Sequence, residues 1–197
     1  MLLVLPIFLE LLYEQDLIRH FKSKNYRIFL KGLGQSILAL GLPPLGMGIY
    51  LLINKLVTGN WLQFLVYQKE HWKQKFGFFA DLLSIHAAKA FRAYVHYAYG
   101  IWIPGILLFF FALAMLIFFA GRIRLSYAAF SLLYILISFS PTGLLSGPRY
   151  ISGMFTLYLL IALLAKKIPL ENRWILDFIL SFCLFFYSVL FILRFVF

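Results

Sequence analysis

Twenty consecutive residues, Ile101–Ala120, carry no charge and read IWIPGILLFFFALAMLIFFA. About twenty apolar residues are what a helix needs to cross a hydrocarbon core of about 30 Å. A second run, Trp174–Leu193, has the same length and contains one acid, Asp177. Two such runs in 197 residues leave little room for a water-soluble fold, and composition agrees. Hydrophobic residues make up 63% and charged residues 13%, against about 45–50% and about 25% in soluble domains. Twenty-three Phe and a mean hydropathy of +0.92 cannot be covered by the polar side chains available. The expectation is an all-α, multispanning integral membrane protein forming a single membrane domain. A soluble enzyme, a disordered chain and a disulfide scaffold are excluded; the single cysteine, Cys183, lies in an apolar run.

Three further apolar runs raise the expected number of transmembrane helices to about five: 33–56, 101–120, 125–140, 151–165 and 174–193. The third and fourth are short, which suits thinned or tilted spans or a paired helical hairpin. Residues 1–13 are apolar and interrupted by Pro6 and Glu10. They read either as the end of a span whose beginning is missing or as an interfacial segment.

Charge sets the orientation, since Lys and Arg in short loops stay cytoplasmic. The segment 14–32 holds Arg19, Lys22, Lys24, Arg27 and Lys31. Arg122 and Arg124 fall between the second and third spans, and Lys166, Lys167 and Arg173 between the fourth and fifth. Alternation through five spans puts all of these on one side. The Pro141–Tyr150 loop opposite has only Arg149. The net charge of +11 is therefore read as topology and attraction to anionic lipid, with no nucleic acid as partner.

The remaining outer loop, 57–100, carries Trp61, Phe64, Leu65, Gln68 and Trp72 at helical spacing. This predicts a helix lying in the interface with its lysines toward water. Tyr94, Tyr97, Tyr99 and Trp102 read as an aromatic belt. His20, His71, His86 and His96 lack metal-binding spacing and are expected to be solvated or interfacial. Glu70 beside His71 suits acid–base work less well than a solvated Glu–Lys face. Asp177 is expected to pair with Arg173, one turn earlier. Phosphate-loop and serine-hydrolase motifs are absent, and no cofactor is implied.

The Ser138–Tyr150 stretch contains Pro141, Gly143, Gly147 and Pro148, which stop regular helix and deliver Arg149 to the membrane surface. Two readings fit: a bidentate clamp for the phosphate of a lipid-linked substrate, or an arginine resting on headgroups. Pro43-Pro44 is expected to break the first span, either lining a cavity or kinking the helix.

Taken in order, these features resemble the C-terminal half of the PIG-V-type GPI mannosyltransferases and their bacterial relatives, which are GT-C glycosyltransferases. The residues that carry the resemblance are the basic stretch, Pro44-Leu-Gly46 with Tyr50, then Gly59, Phe64, Gln68 and Trp72, and Ser146-Gly-Pro-Arg-Tyr150. It covers roughly residues 1–170. The resemblance implies a partial GT-C architecture and transfer of a hexose from a polyprenyl- or dolichyl-phosphate sugar to an acceptor on the non-cytoplasmic face. It gives Arg149 the donor phosphate, and has Tyr150, Gln68 and Trp72 shape the sugar or lipid pocket with Ser146 beside them. The family's acidic catalytic residue lies in an N-terminal outer loop that no segment here matches, so no catalytic residue is assigned. The chain is then expected to be a fragment or to work with the missing N-terminal half or a partner subunit. A bacterial cell membrane is the expected location, or the endoplasmic reticulum membrane in a eukaryote. The alternatives are a non-catalytic membrane subunit or scaffold and, behind it, a small transporter.

Overall fold

A chain this apolar has few side chains with which to satisfy its own backbone, so the backbone must satisfy itself. In this computed structural model, which describes residues 2–14, 21–24, 26–71, 73–141 and 147–193, it does so by helix. The described residues are 85% helical with no strand. In chain order the helices are α1 (Val4–Glu14), α2 (Tyr26–Thr58), α3 (Gln63–His71), α4 (Phe79–Arg92), α5 (Val95–Arg122), α6 (Leu125–Ser138), α7 (Gly147–Ser152), α8 (Phe155–Lys167) and α9 (Leu170–Ile192).

Three of these, α2, α5 and α9, are long and apolar enough to cross a membrane. They correspond to the runs at 33–56, 101–120 and 174–193. At 1.5 Å per residue the 33 residues of α2 reach about 50 Å, well beyond a 30 Å core. The helices at the two short runs, α6 and α8, have 14 and 13 residues, or about 20 Å each. Length alone does not carry either of them across. The start of α2 at Tyr26 places Arg27 and Lys31 on its first turns, where a loop to residue 32 was expected; both residues are good helix formers.

Pro43-Pro44 does not interrupt the helix, since α2 runs through both prolines, which leaves the kink and not the cavity-lining break of the two expected alternatives. Neither has an N–H, so the carbonyls of Ala39 and Leu40 lose their helical donors. Several turns of uninterrupted helix on each side outweigh that local loss. The helix ends where Gly59 adopts φ +78°, a left-handed conformation that costs glycine no Cβ clash. Its N–H then reaches the Lys55 carbonyl at 2.9 Å, and the Lys55 ammonium caps the Gly59 carbonyl at 2.7 Å.

The chain divides into two units. The first comprises Met1–Trp72 and Gly121–Leu133. Within it α1 packs on α2, and α3 folds back on α2 through an edge-on contact of Tyr50 and Phe64 at 5.6 Å. Glu10 of α1 pairs with Arg124 and accepts a hydrogen bond from the Ser126 hydroxyl at the start of α6. The second unit comprises Lys73–Ala120 and Tyr134–Phe197. Its core runs through Leu82, Ile101, Phe109, Ile135, Phe139, Ile151, Met154 and Leu160, all nearly inaccessible. Phe109 stacks on Phe79 at 5.9 Å and meets Phe139 edge-on at 4.9 Å.

Inside α5, residues Ala98–Trp102 form a π-helical turn. Pro104 has no N–H to continue the regular ladder, and the wider turn brings the Ile103 N–H to the Ala98 carbonyl instead. Four of its five residues are buried: Ala98, Gly100, Ile101 and Trp102.

The Glu10 pair has a pH signature. The Ser126 hydrogen bond, opposed by desolvation and reinforced by Arg124, holds the Glu10 carboxyl below its ordinary value of 4.5. A depressed acid contributes stability above that ordinary value and loses it as pH falls through the folded-state value. We expect Glu10→Gln to lower the unfolding temperature in detergent near pH 7, and the gap from wild type to narrow as pH falls below 4.5. An equal gap across the whole range would remove the pair from the account of the first unit.

Candidate functional site

The side chains of greatest chemical interest in the second unit gather where α4 lies against the first turns of α5. Along α4, Phe79, Leu82, Leu83 and His86 recur at three- and four-residue spacing, which is one helix face. Leu82 and His86 on that face are buried, His86 to 1% exposure. The imidazole meets Trp102 edge-on at 5.0 Å and Phe139 at 6.3 Å. The Lys89 ammonium, one turn on, sits 4.5 Å from the centre of the Trp102 ring, a cation–π contact.

His86 also approaches Gly105 so closely that a Cβ there would lie 3.2 Å from Nδ1. The same Cβ would lie 4.0 Å from Cδ of Pro148. Gly105 is thus the point at which α4, α5 and α7 converge. A second tie is backbone: the Gly77 N–H donates to the Ser140 carbonyl at 2.9 Å, and Phe76 bridges to Pro141. The segment leading into α4 is fastened in this way to the end of α6.

These ties carry α7. Gly147 and Ile151 are buried, and Met154 beyond it is inaccessible. Arg149 and Tyr150 face outward from the same short helix. No carboxylate among the described residues pairs with the Arg149 guanidinium. An exposed planar cation on a fixed backbone, without an acid to neutralise it, can accept a phosphate in its fork.

The site residues expected from sequence divide accordingly. Arg149 and Tyr150 are brought together on α7. Gln68 lies exposed on α3, in the first unit. Trp72 and Ser146 lie outside the described residues. A helix forms in the stretch expected to lie in the interface, but it spans only Gln63–His71, with Trp61 ahead of its first residue. Glu70 is exposed on α3, and Asp81 is exposed on the first turn of α4.

Several expectations are corrected. His86 is a core residue, not a solvated one, because α4 is amphipathic and lays its inner face on α5. Trp102 is not part of an exposed aromatic belt; at 6% exposure it is covered by His86 and Lys89, while Tyr94 and Tyr99 remain outside. The expected Arg173–Asp177 ion pair does not form among the described residues, and both side chains are exposed. His71 and His96 do sit at the surface or half-buried among tyrosines; His20 lies outside the described residues. What sequence reading missed is α4 itself, whose signal is the Phe79–Leu82–Leu83–His86 spacing within the outer loop 57–100.

No protein-family model, no curated protein and no solved structure matches this chain.

The tightness at Gly105 yields a comparison of two glycines. Gly105→Ala forces a Cβ against the His86 ring and should destabilise the protein by about 1–3 kcal/mol, the usual cost of overpacking. Gly34→Ala on α2 meets nothing within 4 Å and should be neutral or stabilising by about 0.5–1 kcal/mol. Thermal unfolding of the two variants in one detergent checks this, and equal losses would contradict the packing described for His86.

Proposed function

We propose that this chain is the donor-phosphate half of a membrane glycosyltransferase of GT-C type. It would grip the phosphate of a polyprenyl- or dolichyl-phosphate hexose, such as a mannose carrier, through Arg149. The observation that carries the reading is the outward-facing, acid-free Arg149 on a helix that buries Gly147 and Ile151 against the second unit. Bidentate contact with the phosphate strengthens as negative charge develops on the departing lipid phosphate, which is electrostatic catalysis of the oxyanion type. Tyr150, on the same helix, offers an aromatic face to a sugar ring or an isoprene unit. The carboxylate that activates the acceptor is not assigned to Glu70 or Asp81.

The accompanying topology has five spans, with α6 and α8 crossing a locally thinned or tilted region beside the three long helices. Charge alternation supports it, and so does a contact in the second unit. Lys167 at the end of α8 lies 4.9 Å from the centre of the Phe119 ring near the end of α5. The two ends assigned to the cytoplasm by their bases are therefore neighbours.

A second reading, a non-catalytic subunit that stabilises a partner enzyme, draws on α2 and α9. Each buries only 6% of its most apolar window within the chain. On α9 the exposed Phe178, Phe182 and Phe186 stack in a ladder at 6.3 Å spacing. Lipid satisfies such a face, and so does a partner's helix. Co-purification from native membranes with a separate catalytic chain would select the second reading.

For the first reading the decisive variant is at Arg149. In native membranes that carry the chain, Arg149→Ala should reduce hexose transfer from a polyprenyl-phosphate donor by about a hundredfold or more, with insertion unchanged. Arg149→Lys keeps the charge without the fork and should restore only part of the rate. Transfer at the wild-type rate in Arg149→Ala would sink this role.

A further inference from the structure

A six-residue helix closes few of its own hydrogen bonds, and its last carbonyls have no helical donors at all. In α7 each of the last four is nonetheless satisfied. The Arg149 carbonyl accepts from the Ser152 hydroxyl at 2.8 Å. The Tyr150 carbonyl accepts twice, from the Gly153 N–H at 3.1 Å and from the Tyr134 hydroxyl at 3.0 Å. The Ile151 carbonyl accepts from the Met154 N–H at 3.0 Å, and the Ser152 carbonyl from the Tyr158 hydroxyl at 2.7 Å. Tyr134 belongs to α6 and Tyr158 to α8, so the backbone that bears Arg149 is held from two neighbouring helices.

Gly153 shows how close this fit is. A Cβ there would lie 3.2 Å from the Tyr134 hydroxyl and 3.3 Å from the Tyr150 carbonyl, which is the hydrogen bond itself. A Cβ there presses on donor and acceptor at once, and one of them must give by a few tenths of an ångström.

We propose that Tyr134 and Tyr158 are positioning residues, whose hydroxyls clasp the carbonyl end of α7 and hold the Arg149 fork in the orientation that receives a lipid phosphate. This rests on the phosphate reading above. Neither tyrosine needs to touch the substrate. Both rings remain in place when the hydroxyl is removed, so Tyr→Phe deletes the clasp without opening a cavity.

Two measurements on the full chain test it. The first is binding of undecaprenyl phosphate in phosphatidylcholine vesicles. Tyr134→Phe with Tyr158→Phe should weaken binding about tenfold, and Gly153→Ala should weaken it in the same direction. In the Arg149→Ala background the two Tyr→Phe changes should do nothing more, because they act through Arg149. A loss of equal size in both backgrounds, or wild-type binding by the Tyr→Phe pair, overturns the clasp and leaves the phosphate reading standing.

The second measurement needs no ligand. A nitroxide placed at residue 149, through Arg149→Cys in a Cys183→Ser background, should become more mobile when the two hydroxyls are removed. Unchanged mobility overturns the clasp. Increased mobility together with equal binding by wild type and Arg149→Ala would mean that the clasp exists but serves no phosphate, and the positioning role falls with the phosphate reading.

Discussion

The whole structure depends on one constraint: backbone N–H and C=O groups in a medium without water must find partners inside the protein, at a cost of several kcal/mol for each one that does not. Helix is the local solution, and it explains why so apolar a chain contains no strand among its described residues. The constraint also decides what happens to stray hydroxyls. Ser36, Ser131, Ser140 and Ser188 each donate to the carbonyl four residues earlier, at 2.7–2.9 Å. A serine is thereby made nearly apolar, which lets it sit on a lipid-facing or buried helix without a distant partner. Where helices must end, the same demand selects Gly59 and Lys55 at the end of α2 and the hydroxyls around α7.

Packing then turns these helices into a platform. Lipid tails are as apolar as leucine, so helices in a membrane associate through close fit more than through the hydrophobic effect. Gly105 provides that fit. Its missing side chain lets the His86 ring and Pro148 approach α5 from two directions, and the π-turn just before it gives Pro104 a place in the helix. Because Pro148 precedes Arg149, a packing detail of the second long helix is transmitted to the charged side chain that faces outward.

The three long helices were legible in the sequence because a run of twenty apolar residues has one outcome in lipid. Arg149 stands out in the sequence as a lone cation among prolines and glycines, but it lies on the helix α7 and not in the loop expected up to Tyr150. Other features were hidden for physical reasons. An aromatic residue beside a span looks the same whether it anchors in headgroups or is roofed by another helix, so Trp102 was misplaced. The burial of His86 depended on α4 covering α5, a tertiary event that leaves only a short apolar periodicity in a lysine-bearing segment. At Pro43-Pro44 local propensity allows an interruption or a kink, and the helix continues through both prolines. The Tyr134 and Tyr158 hydrogen bonds join residues 16 and 6 apart with no motif to announce them.

Two kinds of contact hold α7 in place. Ile151 and Met154 are fully buried, but exchanging lipid for protein around them gains only the difference in packing. The four last carbonyls of α7 must be closed as well, and an open one costs more the less water reaches it. Main-chain N–H groups reach two of these, the Tyr150 and Ile151 carbonyls. The Arg149 carbonyl is closed by Ser152 from within the turn, and the Ser152 carbonyl only by a hydroxyl from α8. Tyr134 adds a second donor at Tyr150, which backbone closure alone does not require. Its contribution is therefore direction more than satisfaction: it ties α7 to α6 at the residue next to Arg149. An arginine on an ordinary loop would spend the favourable energy of a phosphate contact on ordering its own backbone. On α7 that backbone is ordered beforehand by groups that never meet the ligand.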